Sequence, residues 1–214
     1  GTAAAQQWSG DMIGLGSGGE VYDVDVATGA VTQISDAGPD AFGAASWDTA
    51  HAGWVLACDP SGNTLHRVNA SDGSSVQIGT FTGATNSIAE MAFDITSNVL
   101  YGTDYYGLYT VDPVSCETSY IGDLGTPSLF WALDYVPGTG LFGVAQSTKV
   151  LYSIDTSTGL ASAIGGTGID RVTDIGYDPV TGTMLAAENQ TFAVWTLDLG
   201  SGAGNDVFVA RSIV

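Results

Sequence analysis

Three observations predict that the chain is all-β and forms a five-bladed β-propeller, with four antiparallel strands in each blade. The first is a five-residue word: apolar residue, aromatic, any residue, apolar residue, then Asp or Asn. It is spelled VYDVD (21–25), LHRVN (65–69), LYTVD (108–112), LYSID (151–155) and VWTLD (194–198), with starts 44, 43, 43 and 43 residues apart. The second is that three further words keep the same beat. The third is arithmetic: 214 residues shared among five copies is about 43 each, and units of about 40–45 residues holding four short strands are propeller blades.

Within one unit the strands are justified in turn. An innermost strand closes on an aromatic, at Trp8, Trp47, Phe93, Tyr135 and Tyr177. A second strand carries an apolar pair and a small residue: MIG (12–14), VLA (55–57), LYG (100–102), LFG (141–143) and MLA (184–186). The five-residue word is the third strand. The fourth holds Ile34, Ile78, Ile121, Ile164 and Val209. All are short runs rich in β-branched and aromatic residues, separated by Gly, Asp, Pro and Asn turns, and no stretch sustains a 3.6-residue period. Positions 1, 2 and 4 of the word are mostly apolar, as expected for strands covered on both faces; a simple two-sheet sandwich would leave one face wet. The small residues at 14, 57, 102, 143 and 186 are expected where adjacent blades approach closely. One domain over 1–214 follows, with blades near 1–37, 38–80, 81–124, 125–166 and 167–214. Blade one is expected to begin with its own innermost strand and blade five to end with its own outermost strand.

Composition bounds the function. There are 23 acidic residues against Arg67, Lys149, Arg171 and Arg211, a formal net charge of −19. Such a surface repels phosphate backbones and anionic lipid, so nucleic-acid binding is not expected. Hydrophobic residues make up 44% of the chain, too apolar for disorder. No apolar run is long enough to cross a bilayer, and no basic segment followed by an apolar one opens the chain. A soluble chain is expected, and the missing initiating Met fits a processed leader or tag. Few charges with abundant Ser, Thr and Gly suggest export to the extracellular space or cell surface. The sequons Asn69-Ala-Ser and Asn189-Gln-Thr permit glycosylation in a host that performs it. Cys58 and Cys116 are too few for a disulfide framework and lack a CxxC spacing. Their strand positions fall on opposite faces of the ring, so two free thiols are expected.

The segments NVLYGTDYYGLYTVDP, KVLYSIDTSTG and IGYDPVTGTMLAA resemble the secreted bacterial propeller repeats of the NHL, YVTN and quinoprotein-like superfamily. The resemblance covers nearly the whole chain. It implies a secreted propeller, but these families include ligand-binding modules, adhesins, lyases and cofactor enzymes, so the fold alone does not set an activity. They commonly have six to eight blades, from which five departs. Known five-bladed rings include tachylectin-type lectins and arabinanase-type glycosidases, and the sequence matches neither by motif.

Several motifs dissolve on inspection. GLGSGG (14–19) satisfies the dinucleotide pattern but runs into a strand, not a helix, and reads as a turn. DVDVATG (23–29) opens like a calcium loop, yet its Gly comes late and its twelfth position is Ile34. Asp25, Asn69, Asp112, Asp155 and Asp198 read as openers of hairpin turns. His66 occupies a slot that is otherwise Tyr or Trp, His51 lies in a turn, and no nucleophile–His arrangement supports a hydrolytic triad.

What remains is the mouth of the ring, where the segments 35–44, 79–90, 122–132 and 165–174 link each outermost strand to the next innermost one. They supply Asp40 and Asp123 and the candidate ligand-binding residues Phe42, Asn86, Glu90, Phe130, Trp131, Asp170, Arg171 and Asp174. Glu90 and Asp174 each stand three residues before the inner aromatic, so both are expected near the axis. There they would hold a Ca²⁺-like ion or act as acid and base; alternatively the mouth is a water-filled polar lining. Carboxylates beside Trp and Phe would suit a sugar. The leading expectation is a non-catalytic binding or adhesion module for a carbohydrate or protein ligand. A glycosidase or lyase using paired carboxylates, and a structural subunit of a surface assembly, are the alternatives.

Overall fold

The computed structural model describes residues 11–16, 18–25, 30–36, 44–48, 50–126, 128–188 and 193–209. Among them lie nineteen strands and no helix, in five antiparallel sheets of consecutive strands. Blade one holds β1 (Asp11–Leu15), β2 (Val21–Asp25) and β3 (Val31–Ser35). Blade two holds β4 (Ala44–Trp47), β5 (Trp54–Asp59), β6 (Thr64–Asn69) and β7 (Ser75–Thr80). Blade three holds β8 (Glu90–Asp94), β9 (Val99–Thr103), β10 (Gly107–Val111) and β11 (Thr118–Asp123). Blade four holds β12 (Phe130–Val136), β13 (Gly140–Ala145), β14 (Val150–Ile154) and β15 (Ala161–Gly166). Blade five holds β16 (Val172–Asp178), β17 (Thr183–Glu188), β18 (Ala193–Leu197) and β19 (Gly204–Val209). The innermost strand expected around Trp8 lies outside the described residues. The strands β4, β8, β12 and β16 pack successively against one another. The fold is therefore a five-bladed β-propeller with its first strands innermost.

The core sits between blades, and the strand words explain it. In β10, Leu108, Tyr109 and Val111 are buried on both faces; in β14, Leu151, Tyr152 and Ile154 are too. By contrast β7, β11 and β15 hold no buried residue and half of each is exposed, as outer strands must be. The turn-opening Asp and Asn residues behave as their chemistry dictates. Asp112 Oδ1 accepts from the Val114 and Ser115 amides, Asp155 Oδ1 from Ser157, and Asp198 Oδ1 from Gly200 and Ser201. The residue four positions on closes each turn at positive φ, at Gly73, Gly159 and Gly202; in blade three Cys116 takes that left-handed position at φ 59°. Cys58 and Cys116 are both free and buried.

At the glycines the small residue of the second strand has a different reason from the one expected. Gly14, Ala57, Gly102, Gly143 and Ala186 pair directly with Tyr22, His66, Tyr109, Tyr152 and Trp195. A Cβ on Gly102 would press on Val111 and Ile88, and one on Gly143 would overlap Phe130. At these glycines the crowding comes from the unit's own side chains, whereas Ala57 and Ala186 also belong to core clusters that include residues of the neighbouring blade. Neighbouring blades meet backbone to backbone elsewhere, at the outer rim. A bulge in every outer strand extrudes Ile34, Ile78, Ile121, Ile164 and Val207, so Val207, not Val209, is the fifth equivalent. In blades one to four the next residue then abuts the hairpin of the following blade. A Cβ on Gly122 would stand 1.9 Å from the Thr158 carbonyl oxygen, and one on Gly165 2.0 Å from that of Ser201. Amides of the following blade complete the seam, with Ala161 N donating to Leu124 O and Gly204 N to Thr167 O.

Candidate functional site

Three innermost strands from three blades contribute carboxyl groups that feel one another. Glu90 opens β8, Asp134 lies on β12 and Asp174 on β16. Glu90 is 6% exposed, and its Oε2 is buried without a hydrogen-bond partner. Burial, then the charge of Asp174, pushes its carboxyl well above the usual range. Asp174 rises to about 8 through burial and the charge of Asp134, opposed by the Ile175 amide. Asp134 rises to about 7 through burial, although its carboxylate accepts from the Tyr177 amide. That amide belongs to the inner edge of the next blade, where no further strand exists to take it. The juxtaposition of Glu90 and Asp174 follows from their shared place in the repeat. Asp134 was missed, since it stands two positions nearer the inner aromatic. Among the described residues no group of three His, Cys, Asp or Glu side chains is placed to hold a metal ion.

The other mouth candidates do not join that cluster. Phe130 is 2% exposed and packs edge-on against Tyr152 at 5.5 Å, as core. Trp131 is the half-buried bulged residue of β12. Asp170 pairs with Lys149 on the surface, and Arg171 is exposed. Phe42 lies outside the described residues, as does Asp40. Asn86 goes elsewhere, to blade three.

There the segment between β7 and β8 lines one side of an open pocket of about 270 Å³. Its lining includes Asn86, Asp104, Tyr106, Tyr109, Tyr120 and Asp123. Asp104, 3% exposed, organises it from the β9–β10 turn. Its Oδ1 accepts from the Tyr106 and Gly107 amides, and its Oδ2 from Tyr109 Oη at 3.0 Å and Asn86 Nδ2 at 3.2 Å. Burial and the bond to Asp104 raise the Tyr109 hydroxyl. Tyr120 Oη donates to Asp123 Oδ1 at 2.6 Å, which pushes its own pKa up to about 12. The two rings meet edge to face, centroids 5.3 Å apart and planes at 62°. Tyr106 stands at the rim, 63% exposed. Two signals in the sequence could have found this place. TDYYG puts aromatics on a turn that reads PSGN in blade two and QSTK in blade four, and Tyr120 fills an outer-strand slot that is Gln33, Gln77, Ala163 or Asp206 elsewhere.

The chain is thus a five-bladed propeller with an acidic axial cluster and one aromatic, acid-rimmed pocket. Solved structures share that fold. One, a nidogen/laminin complex, matches with TM-score 0.60 and 11% identity over 84% of this chain and 70% of its own. A structural-genomics protein of unknown function from Bacteroides thetaiotaomicron VPI-5482 gives 0.58 and 12%, over 95% of this chain and 57% of its own. Hydrazine synthase from Kuenenia stuttgartiensis gives 0.52 and 13%, over 77% and 48%. No family model matches the chain, and no curated protein does.

Proposed function

We propose that the chain is a non-catalytic, extracellular binding module whose protein or carbohydrate ligand docks at the blade-three pocket, away from the channel axis. The tyrosine-lined, carboxylate-rimmed cavity carries this reading: it is concave, presents large apolar faces, and offers a few fixed polar groups, the usual make-up of a ligand site. The propeller of similar fold in a nidogen/laminin complex supports a protein partner by analogy. Catalysis by the axial carboxyls is the weaker reading. Acid–base pairs need environments that push their pKa values apart, whereas Glu90, Asp134 and Asp174 all shift upward, and Glu90 is buried.

Glycan-array and pull-down binding by the intact chain tests the proposal. The double variant Tyr106→Ala, Tyr120→Ala is expected to lose binding by about tenfold or more, the scale of a truncated aromatic hot spot. Binding that survives this variant but disappears in Glu90→Gln, Asp174→Asn would move the ligand to the channel and overturn the assignment.

A further inference from the structure

We propose that the blade-three pocket is an aromatic cage for an alkylammonium group, such as a lysine head or a quaternary amine. The inference rests on the binding reading above and narrows it to one ligand chemistry. Tyr120 and Tyr106 present the accessible rings, 56% and 63% exposed, and the buried Tyr109 ring backs Tyr120 edge to face at 62° with centroids 5.3 Å apart. A cation is drawn to the negative face of such rings, and quaternary ammonium groups are the ligands aromatic cages commonly select. Two features of this pocket strengthen the attraction. Tyr109 and Tyr120 each donate their hydroxyl proton to a carboxylate, Asp104 and Asp123 respectively. This holds the rings in place and feeds electron density into them. The lining also contains two aspartates and no Lys or Arg, so the field in the cavity is negative.

A neutral sugar fits less well. It needs directed donors and acceptors, yet Asp104 already takes four donors, one of them an Asn86 N–H. The volume of about 270 Å³ lies below the usual range for sites that swallow a whole ligand. It matches the head of a side chain or small amine. Asp123 is exposed, so it meets an incoming cation without a large desolvation cost.

Calorimetric titration of the intact chain tests the cage. The probes are choline, its uncharged isostere 3,3-dimethylbutanol, methyl glucoside, and a short peptide carrying either lysine or trimethyllysine. Choline is expected to bind about tenfold tighter than the isostere. Tyr120→Ala and the rim variant Tyr106→Ala should each abolish that preference. Tyr106 is largely exposed, so its variant reports on the cage even if Tyr120→Ala fails to fold. Tighter binding of the trimethyllysine peptide than of choline identifies a protein-borne cation; the reverse order identifies a small amine. Equal affinity for choline and its isostere, or no binding of any cation, overturns the cage. If methyl glucoside binds instead and the tyrosine variants abolish it, the pocket stands as the binding site and only the cation assignment falls. Cation binding indifferent to both tyrosine variants sinks the cage and the site together.

Discussion

At the scale of single residues, the axial carboxyls make the protein's stability depend on pH in an unusual direction. Asp134 and Asp174 have folded values near 7 and 8 against an ordinary 3.8, and Glu90 shifts the same way. Above about pH 4 the unfolded chain has released these protons while the folded one still holds them. Their contribution is therefore full below about pH 4 and is lost as pH rises through 7 and 8. Asp94 works in the opposite sense. Hydrogen bonds from Ser97 and Thr96 overcome its burial and hold it at about 2, so its contribution is present above about pH 4 and lost as pH falls toward 2. Thermal melts should show a higher Tm at pH 5 than at pH 8. In Asp134→Asn, Asp174→Asn, whose amides imitate the protonated acids, that difference should shrink. An unchanged slope in the double variant would remove these residues as the cause. Glu90 and Asp174 were readable as a pair from their common offset to Phe93 and Tyr177. Asp134 was not, because nothing along its own strand marks which side chain meets the free edge of the next blade.

At the scale of elements, the seam between blades depends on the bulge and on the residue after it. The extruded Ile turns the outer strand so that its next Cα lies against the following hairpin, and at Gly122 and Gly165 there is no room for a methyl group. Gly122→Ala is expected to destabilise the fold by about 2–3 kcal/mol, as overpacking against a fixed backbone does, read as a lower denaturant midpoint. Gly176→Ala, which meets nothing within 4 Å and has no positive φ, serves as the control and should be close to neutral. Equal loss in both would refute the seam. The bulged Ile and its Gly were visible in the sequence as a recurring pair, at 78–79, 121–122 and 164–165. Their role was not, since a repeat announces that a position matters and leaves open what it touches. The small residue of the second strand behaves alike: at Gly102 and Gly143 the space is taken by side chains of the same unit, which its recurrence along the chain does not reveal.

At the scale of the whole molecule, the formal net charge of −19 loads a compact ring with like charges, and self-repulsion opposes folding. Raising NaCl from about 20 mM to 0.5 M shortens the Debye length severalfold and is expected to raise Tm at pH 7; a flat or falling Tm would show that repulsion is not limiting. Blade number, strand order and turn chemistry could all be read from the linear chain. They depend on local periodicity, on Asx turns within five residues, and on apolar letters that must be buried on both faces whatever the neighbours are. The sites could not be read that way. Asn86, Asp104, Tyr109 and Tyr120 come from a connecting segment, a turn and two strands, and Glu90, Asp134 and Asp174 from three separate blades. Their meeting depends on how the sheets lean on one another and on which backbone edges are left unpaired. That is a property of the packed blades, with no counterpart in the spacing of letters along the chain.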